Sequence, residues 1–364
     1  MQVVDAFSSS YAQARSKFLE AATQAGLPVQ SYQHPLPGRD AEVLALDVAL
    51  DGARDADKLL IVSSACHGVE GYCGSGVQLY ALHDPVFRAR CANAGVAVLY
   101  LHALNPYGFS HTRRFTHENV DLNRNFQDFS KPLPPNPAYR DLHPLLLPDK
   151  WPPGVVNVAA MAWYIATRGM KAGQAAISGG QYEFADGLFY GGTAPTWSNL
   201  TLRLALREHA SHATQAAWID LHTGLGACGA CERGFAGPSD DAVGLARARQ
   251  WWDGAGATPV TLIGGAASVS APLTGLLWRA LAEECPNTQM TSIAMEFGTQ
   301  PLMKVLEALR AEQWLTNHRQ APAAQAAQIK QQLLDAFYVD TAEWKEAVVT
   351  QAMDAMVQAV EGLT

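Results

Sequence analysis

The run Leu59-Leu60-Ile61-Val62 contains no polar residue. A strand of that kind is covered on both faces, so the sheet it belongs to needs helices above and below. Val96-Ala97-Val98-Leu99-Tyr100-Leu101 is a second such run, and Gly74 to Leu82 between them reads as a helix. Strand, helix, strand is the signature of a parallel or mixed sheet under helices. Further strands are expected at 216–224, 258–263 and 291–298. Helices are expected at 5–26, 157–176, 198–215, 302–313, 320–337 and 341–362. Residues 28–50 alternate as an edge hairpin does, and the proline-rich stretch 131–155 is expected to cross the surface as a long loop. No linker, repeat or low-complexity tract divides the chain. The expectation is one α/β domain over 1–364, a three-layer α/β/α arrangement around a central mixed, mostly parallel, twisted sheet. The N-terminal helix and edge hairpin occupy 1–57, and C-terminal helices occupy 302–364.

The totals narrow the partners. The 364 residues are 48% apolar and 16% charged, with a net charge of −8. That leaves no basic surplus to neutralise phosphates, so no nucleic-acid partner is expected. No run of eighteen apolar residues occurs, so no membrane partner is expected. The N-terminus lacks the pattern of an export signal, which points to the cytoplasm. The six cysteines are scattered, as free thiols in a reducing compartment are. Cys228-Gly-Ala-Cys231 is a single pair with no second pair to complete a zinc site.

The chemistry gathers where strands end. The first run leads into Cys66-His67-Gly68-Val69-Glu70, Ala216 to Ile219 leads into Asp220-Leu221-His222, and a late run carries Glu296. Open α/β sheets place their sites at the carboxyl edge, where such turns meet. His67, Glu70 and His222 form a His₂Glu set, the number and type of ligands that catalytic zinc takes with one position left open. Glu296, inside the apolar run Ile293-Ala294-Met295, is the candidate general base and acid. Arg114 is the candidate partner for an oxyanion.

Taken together, His67-x-x-Glu70, Arg114, Asp121-Leu122-Asn123-Arg124-Asn125-Phe126, His222 and Glu296 resemble the zinc carboxypeptidase family in order and rough spacing from about residue 58 to 300. The strings around His67, His102-Ala103-Leu104-Asn105-Pro106, Asn119 to Phe126, Gly187-Leu188-Phe189-Tyr190 and Asp220 to Gly226 are similar to an uncharacterised bacterial branch of that family. Asp220-Leu221-His222-Thr223 also resembles the aspartoacylase and succinylglutamate desuccinylase branch. The resemblance implies a phosphorylase/hydrolase-like fold and one Zn2+ ion on His67, Glu70 and His222. It implies that Asp121 accepts a hydrogen bond from His67, that Asn123 and Arg124 hold a substrate carboxylate, and that Glu296 is the base. Arg114 would face the oxyanion, nine residues before Asn123 as in the shorter bacterial members.

One departure stands out. The classical carboxypeptidases carry a tyrosine on a mobile loop between the third zinc ligand and the glutamate, and no Tyr occurs between His222 and Glu296. Tyr182 and Tyr190 are the candidates for a related role, with Tyr190 taken as a substrate-binding residue. His102 and Cys66 are read as a packed histidine and a buried thiol. The function expected is hydrolysis of an amide bond near a substrate carboxylate, by a metallocarboxypeptidase acting on a short or modified peptide. The alternatives are an N-acyl amino acid deacylase and, from another class, an inactive metal- or ligand-binding module.

Overall fold

The computed structural model describes residues 1–254 and 258–364. Among the described residues, eight strands form one sheet: β1 (Val29–Gln33), β2 (Ala45–Asp51), β3 (Lys58–Ser63), β4 (Val96–His102), β5 (Gln215–Gly224), β6 (Cys231–Phe235), β7 (Val260–Leu262) and β8 (Gln289–Gly298). Their order across the sheet is β1-β2-β4-β3-β5-β8-β6-β7. The central four, β4, β3, β5 and β8, run parallel. Antiparallel pairs lie outside them, at β1–β2, β2–β4 and β6–β8.

The unbroken apolar runs are explained by two core layers. Leu60 and Val62 of β3, Val98 and Tyr100 of β4, and Ile219 of β5 pack into one layer with Phe18, Val77, Val348 and Met356. Leu59, Ile61, Ala97, Leu99 and Trp218, the alternate residues, pack into the other with Leu202, Leu206, Ala280 and Leu281. The first layer is closed by the helices Tyr11–Gln24, Gly71–His83 and Ala342–Gly362, and the second by Trp197–His209 and Arg279–Glu284. The period of two sends side chains to both faces, and both faces are covered. This is the three-layer α/β/α arrangement with a mixed sheet.

Several elements differ in detail from the sequence reading. The stretch 131–155 is not all loop. Pro137–Leu146 is helical, started by Asn136, whose side chain accepts from the Tyr139 N–H, with Pro137 in the first turn. The expected helix 157–176 is two helices, Val155–Arg168 and Met170–Ser178, broken at Gly169, where φ is +86°. β6 and the helix Ala242–Trp252 carry no clean pattern in the sequence. In β6 the cause is Glu232 and Arg233, two charges inside a short strand; Arg233 donates to the Trp252 carbonyl at 2.8 Å and to Gln358 at 3.0 Å.

The sheet's carboxyl edge is built by backbone contacts between turns. After β3, Leu104 N–H donates to the Ser64 carbonyl at 3.0 Å and Asn105 N–H to the Ala65 carbonyl at 2.9 Å. One turn on, Gly68 N–H and Val69 N–H donate to the carbonyls of Arg114 and Arg113 at 3.1 and 2.8 Å. The backbones touch here: a methyl group on Gly68 would stand 2.0 Å from the Gly108 carbonyl carbon. Gly68→Ala is therefore expected to cost about 2 kcal/mol by overpacking, read as a lower urea midpoint. Gly95→Ala gives the contrast: its Cβ would meet nothing, but its φ of +65° makes its smaller cost one of backbone strain.

Candidate metal centre

β3, β5 and β8 deliver the three parts that the sequence singled out. The turn after β3 carries His67 and Glu70, β5 carries His222, and β8 carries Glu296 directly beside His222 in the parallel register. His67, Glu70 and His222 are buried, and one ligand atom from each lies within 4.8 Å of the other two. His67 Nδ1 is 2.9 Å from Glu70 Oε1. His222 Nδ1 is 3.0 Å from Glu70 Oε2 and 3.3 Å from His67 Nδ1.

Each imidazole is backed by a carboxylate on its far nitrogen. His222 Nε2 lies 2.5 Å from Asp220 Oδ2. Asp220 in turn accepts from Ser63 Oγ at 2.5 Å, and Ser63 from Trp218 Nε1 at 2.7 Å. Trp218, Asp220 and His222 are two apart on β5, hence on one face. His67 Nε2 lies 3.2 Å from Asp121 Oδ1. A carboxylate on the outer nitrogen fixes the tautomer that leaves the inner nitrogen free to bind metal. Arg114 Nη2 also approaches His67 Nε2, at 2.9 Å. Since Arg only donates, His67 Nε2 either accepts from Arg114 or donates to Asp121, and the second tautomer is the one that leaves Nδ1 without a proton.

The donor set fits a divalent cation. Arg114 pairs with Glu70 and Asp121, and Arg124 lies 3.9 Å from Asp121, so among the described residues Asp220 and Glu296 have no arginine or lysine partner in a largely buried cluster. Such an excess is costly unless a cation offsets it. Without a metal, a proton takes that place. Burial alone would lower the His222 pKa, but Asp220 and Glu70 outweigh it and push it well up, to an imidazolium held between two carboxylates. Burial alone would raise Glu70, but His67, His222 and Arg114 hold it well below the usual carboxylate range. Two imidazole nitrogens and a carboxylate oxygen, each imidazole with its second carboxylate, suit zinc.

The remaining candidates fall around one pocket of about 1120 Å³, open to solvent. His67, His222, Glu296, Arg114, Asn123 and Arg124 line it. Glu296 is partly exposed to it, with Oε1 accepting from the Leu225 N–H at 2.8 Å. Desolvation, and next the Glu70 charge, push the Glu296 carboxyl up to about 7. Arg114 donates to Glu70 at 2.9 Å and to Asp121 at 3.2 Å. Arg124 gives three of its five N–H groups to backbone: Nε and Nη2 to the Ser178 carbonyl at 3.2 and 2.6 Å, and Nη1 to its own neighbour Asn123 at 2.8 Å. One N–H on each terminal nitrogen is left over. Asn123 Oδ1 accepts from the Leu277 N–H at 3.0 Å.

Tyr190 is not part of the pocket lining. Its carbonyl accepts from the Asp121 N–H at 2.7 Å, so what it offers the site is backbone support. Tyr182 donates to the Arg124 carbonyl at 2.7 Å and accepts from Gln127. His102 stacks on Phe18 at 4.4 Å and pairs with Ser75, and burial lowers its pKa to about 4. Cys66 is buried beside Asp220 and His222, where burial raises its thiol pKa. Two supports escaped the sequence reading. One is Asp220 as the carboxylate behind His222, legible as Asp-x-His on a strand. The other is Glu312, which no local pattern marks. It binds Arg113 Nε and Lys330 Nζ, each at 2.8 Å, and Lys330 also reaches the Thr112 carbonyl at 3.1 Å. Through them the loop that cradles His67 to Glu70 is tied to the helices Leu302–Asn317 and Ala323–Phe337.

The family described as "Protein of unknown function (DUF2817)" matches residues 7–351. No curated protein matches the sequence. Among solved structures, the chain is similar to bovine thrombin-activatable fibrinolysis inhibitor, solved in complex with tick carboxypeptidase inhibitor. The identity is 12%, the match covers 98% of this chain and 97% of that one, and the TM-score is 0.53. It is also similar to carboxypeptidase A from Helicoverpa armigera, at 14% identity, 90% and 73% coverage and a TM-score of 0.48. A third is an aspartoacylase family protein from Mesorhizobium loti, at 14% identity, 79% and 66% coverage and a TM-score of 0.39. The first of these likenesses shows a shared α/β fold over nearly the whole of both chains.

The Glu312 network has a pH signature. Burial would raise the Glu312 carboxyl, but Arg113 and Lys330 overcome it and hold it at about 2. A carboxyl held below its unfolded value stabilises the fold above about pH 4.5 and loses that contribution as pH falls toward 2. Glu312→Gln leaves Arg113 and Lys330 facing no charge and is expected to cost about 3 kcal/mol at pH 7. Urea unfolding at pH 7 and pH 3 should show the wild-type advantage over Glu312→Gln shrinking at the lower pH.

Proposed function

The chain belongs to the DUF2817 family, and we propose that it is a zinc-dependent hydrolase of an amide bond that lies near a substrate carboxylate. The observation that carries this is the buried His67–Glu70–His222 cluster, with both imidazoles backed by carboxylates, on the wall of an open pocket. The whole chain, 1–364, is taken as one catalytic unit. His67, Glu70 and His222 would hold one zinc ion; bound there, zinc lowers the pKa of a water and polarises a carbonyl.

The chain's own residues supply the rest. Glu296 keeps Oε1 on the Leu225 N–H. That leaves Oε2 to take a proton from water and return it to the departing nitrogen, and a carboxyl near 7 suits both tasks. Arg114, cationic and beside the ligand turn, offsets negative charge that develops on the carbonyl oxygen. Arg124 offers its two unspent N–H groups to a carboxylate, the bidentate geometry that a guanidinium favours. Ile165, Met170, Ile177, Leu306 and Phe337 form an apolar wall beside these groups, so the group next to the scissile bond is expected to be apolar.

The first choice is a carboxypeptidase acting on a short or modified peptide. An N-acyl amino acid deacylase is the second choice, favoured by that apolar wall together with the absence of any Tyr between His222 and Glu296. Blocked dipeptides and N-acyl amino acids, compared on the purified protein, separate the two. Metal analysis that finds no zinc, or a zinc-loaded protein that cleaves nothing in a broad amide panel, would return the protein to the class of binding modules.

Glu296→Gln should retain zinc and lose about 10²- to 10⁴-fold in kcat, whereas His222→Ala should lose both zinc and hydrolysis. Full activity in Glu296→Gln would remove the assigned base. Arg124→Ala should raise KM for carboxylate-bearing substrates well beyond its effect on their amides. Equal effects on the two would remove the anchor.

A further inference from the structure

The helix Val155–Arg168 is apolar on its outward face as well as on its inward one. Val155, Val156, Val158 and Trp163 are 86%, 84%, 53% and 72% exposed. Ala159, Ala162 and Ala166, which share a face with Val155, are exposed as well. The one amide in the helix, Asn157, is turned inward instead. Its Nδ2 donates to the Leu145 carbonyl at 2.9 Å, and its Oδ1 accepts from Arg310 at 3.0 Å. Met161 is the helix's one fully buried residue. A helix that is apolar around most of its circumference is ordinarily covered, and a contiguous exposed apolar patch marks a contact surface.

The charges around this patch say what kind of surface would cover it. No Asp or Glu occurs between Asp149 and Glu183, while Lys150, Arg168 and Lys171 do, in a chain whose net charge is −8. The helix Met170–Ser178 packs on the loop 264–275 through Gln174, which donates to the Val269 carbonyl at 2.8 Å, and that loop has no charged residue. The apolar surface then continues into the pocket. Met170 and Met303 line the pocket while remaining 47% and 45% exposed.

We propose that the hairpin 155–178 adsorbs to an anionic phospholipid surface, laying the outward face of the 155–168 helix into the interface. An apolar face with an indole at its side and cations at its ends is what such surfaces bind. A second copy of the chain fits less well, because two such faces bring Lys150, Arg168 and Lys171 of each copy into one interface with no Asp or Glu from residues 150–182 to meet them. Adsorption differs from crossing: among the described residues no helix is long and apolar enough to span a membrane. The absence of a membrane partner expected from the sequence is thus confined to spanning. Met170 and Met303, which line the pocket while exposed, set it beside the adsorbed hairpin, so an amphiphile with an acyl chain is the substrate class expected there. That last consequence rests on the proposed hydrolase activity; the adsorption does not.

Co-sedimentation of the full chain with vesicles tests the proposal. Phosphatidylcholine vesicles with about 30% phosphatidylglycerol should bind the wild type at low salt, and vesicles of phosphatidylcholine alone should bind it several-fold more weakly. Val155→Glu/Val156→Glu, at two exposed positions, should partition about tenfold less. Arg168→Glu/Lys171→Glu should lose several-fold and become insensitive to salt. Circular dichroism confirms that each variant is folded. Absence of wild-type binding, or equal binding by Val155→Glu/Val156→Glu, overturns the proposal. So does a wild-type dimer in light scattering that Val155→Glu/Val156→Glu disperses, with no vesicle binding. Hydrolysis is not among the readouts, so a failed hydrolase assignment and a failed adsorption remain distinguishable.

Discussion

The site depends on an excess of buried negative charge. Glu70, Asp121, Asp220 and Glu296 meet at the carboxyl edge of β3, β5 and β8, and among the described residues Arg114 and Arg124 are the fixed cations paired with them. Every nearby contact serves to make that excess tolerable. Arg114 bridges Glu70 and Asp121. Ser63 and Trp218 hold Asp220 from behind. Thr223 N–H, at 3.2 Å, takes part of the charge on Glu70 Oε2. What is left unbalanced falls between His67 Nδ1, Glu70 and His222 Nδ1, where either a proton or a metal ion can sit. The two compete for the same lone pairs, so metal occupancy at such a site is tied to pH.

The fold holds this charge in place through ties between turns. Glu312 is a side chain of the 302–317 helix, far along the sequence from His67. Even so, the chain of contacts from Glu312 to Arg113, and from the Arg113 carbonyl to the Val69 N–H, is two steps long. Thr223, next to His222, donates its hydroxyl to the Phe337 carbonyl at 2.6 Å and so fixes the end of the 323–337 helix, whose Phe337 ring lines the pocket. The C-terminal helices therefore form a buttress for the ligand turn as well as a cover for the sheet.

The strands and the ligand cluster were legible because their signals are local. β3 and β4 are unbroken apolar runs; His67 and Glu70 lie three apart; His222 ends a strand. Placing Glu296 took one more step, since a carboxylate within Ile293-Ala294-Met295 calls for a role. The supports were hidden for physical reasons. Glu312 acts through tertiary ion pairs that leave no spacing in the sequence. β6 is masked by the half-buried Glu232 and the buried Arg233, whose partners lie far along the chain. The helix Pro137–Leu146 was hidden by its prolines, which here start the helix at Pro137 and sit within it at Pro144. Tyr190 was placed by its neighbourhood in the sequence, yet it is the main chain of that residue that meets Asp121.

Arg124 joins the pocket to the hairpin above it. Its Nε and Nη2 both point to the Ser178 carbonyl, the last residue of the 170–178 helix, where the helix dipole is negative and a cation is favoured. Under the proposed function, a substrate carboxylate on Arg124 would share the guanidinium with the end of that helix. The orientation of the two remaining N–H groups is then set by where Ser178 lies, at the end of the 155–178 hairpin. Gly169 stands between the two helices of that hairpin, and Gly180, with φ of +103°, follows its end. Contacts from the hairpin thus reach Arg124, whereas His67, Glu70 and His222 are held by Arg114, by Asp220 and by the sheet.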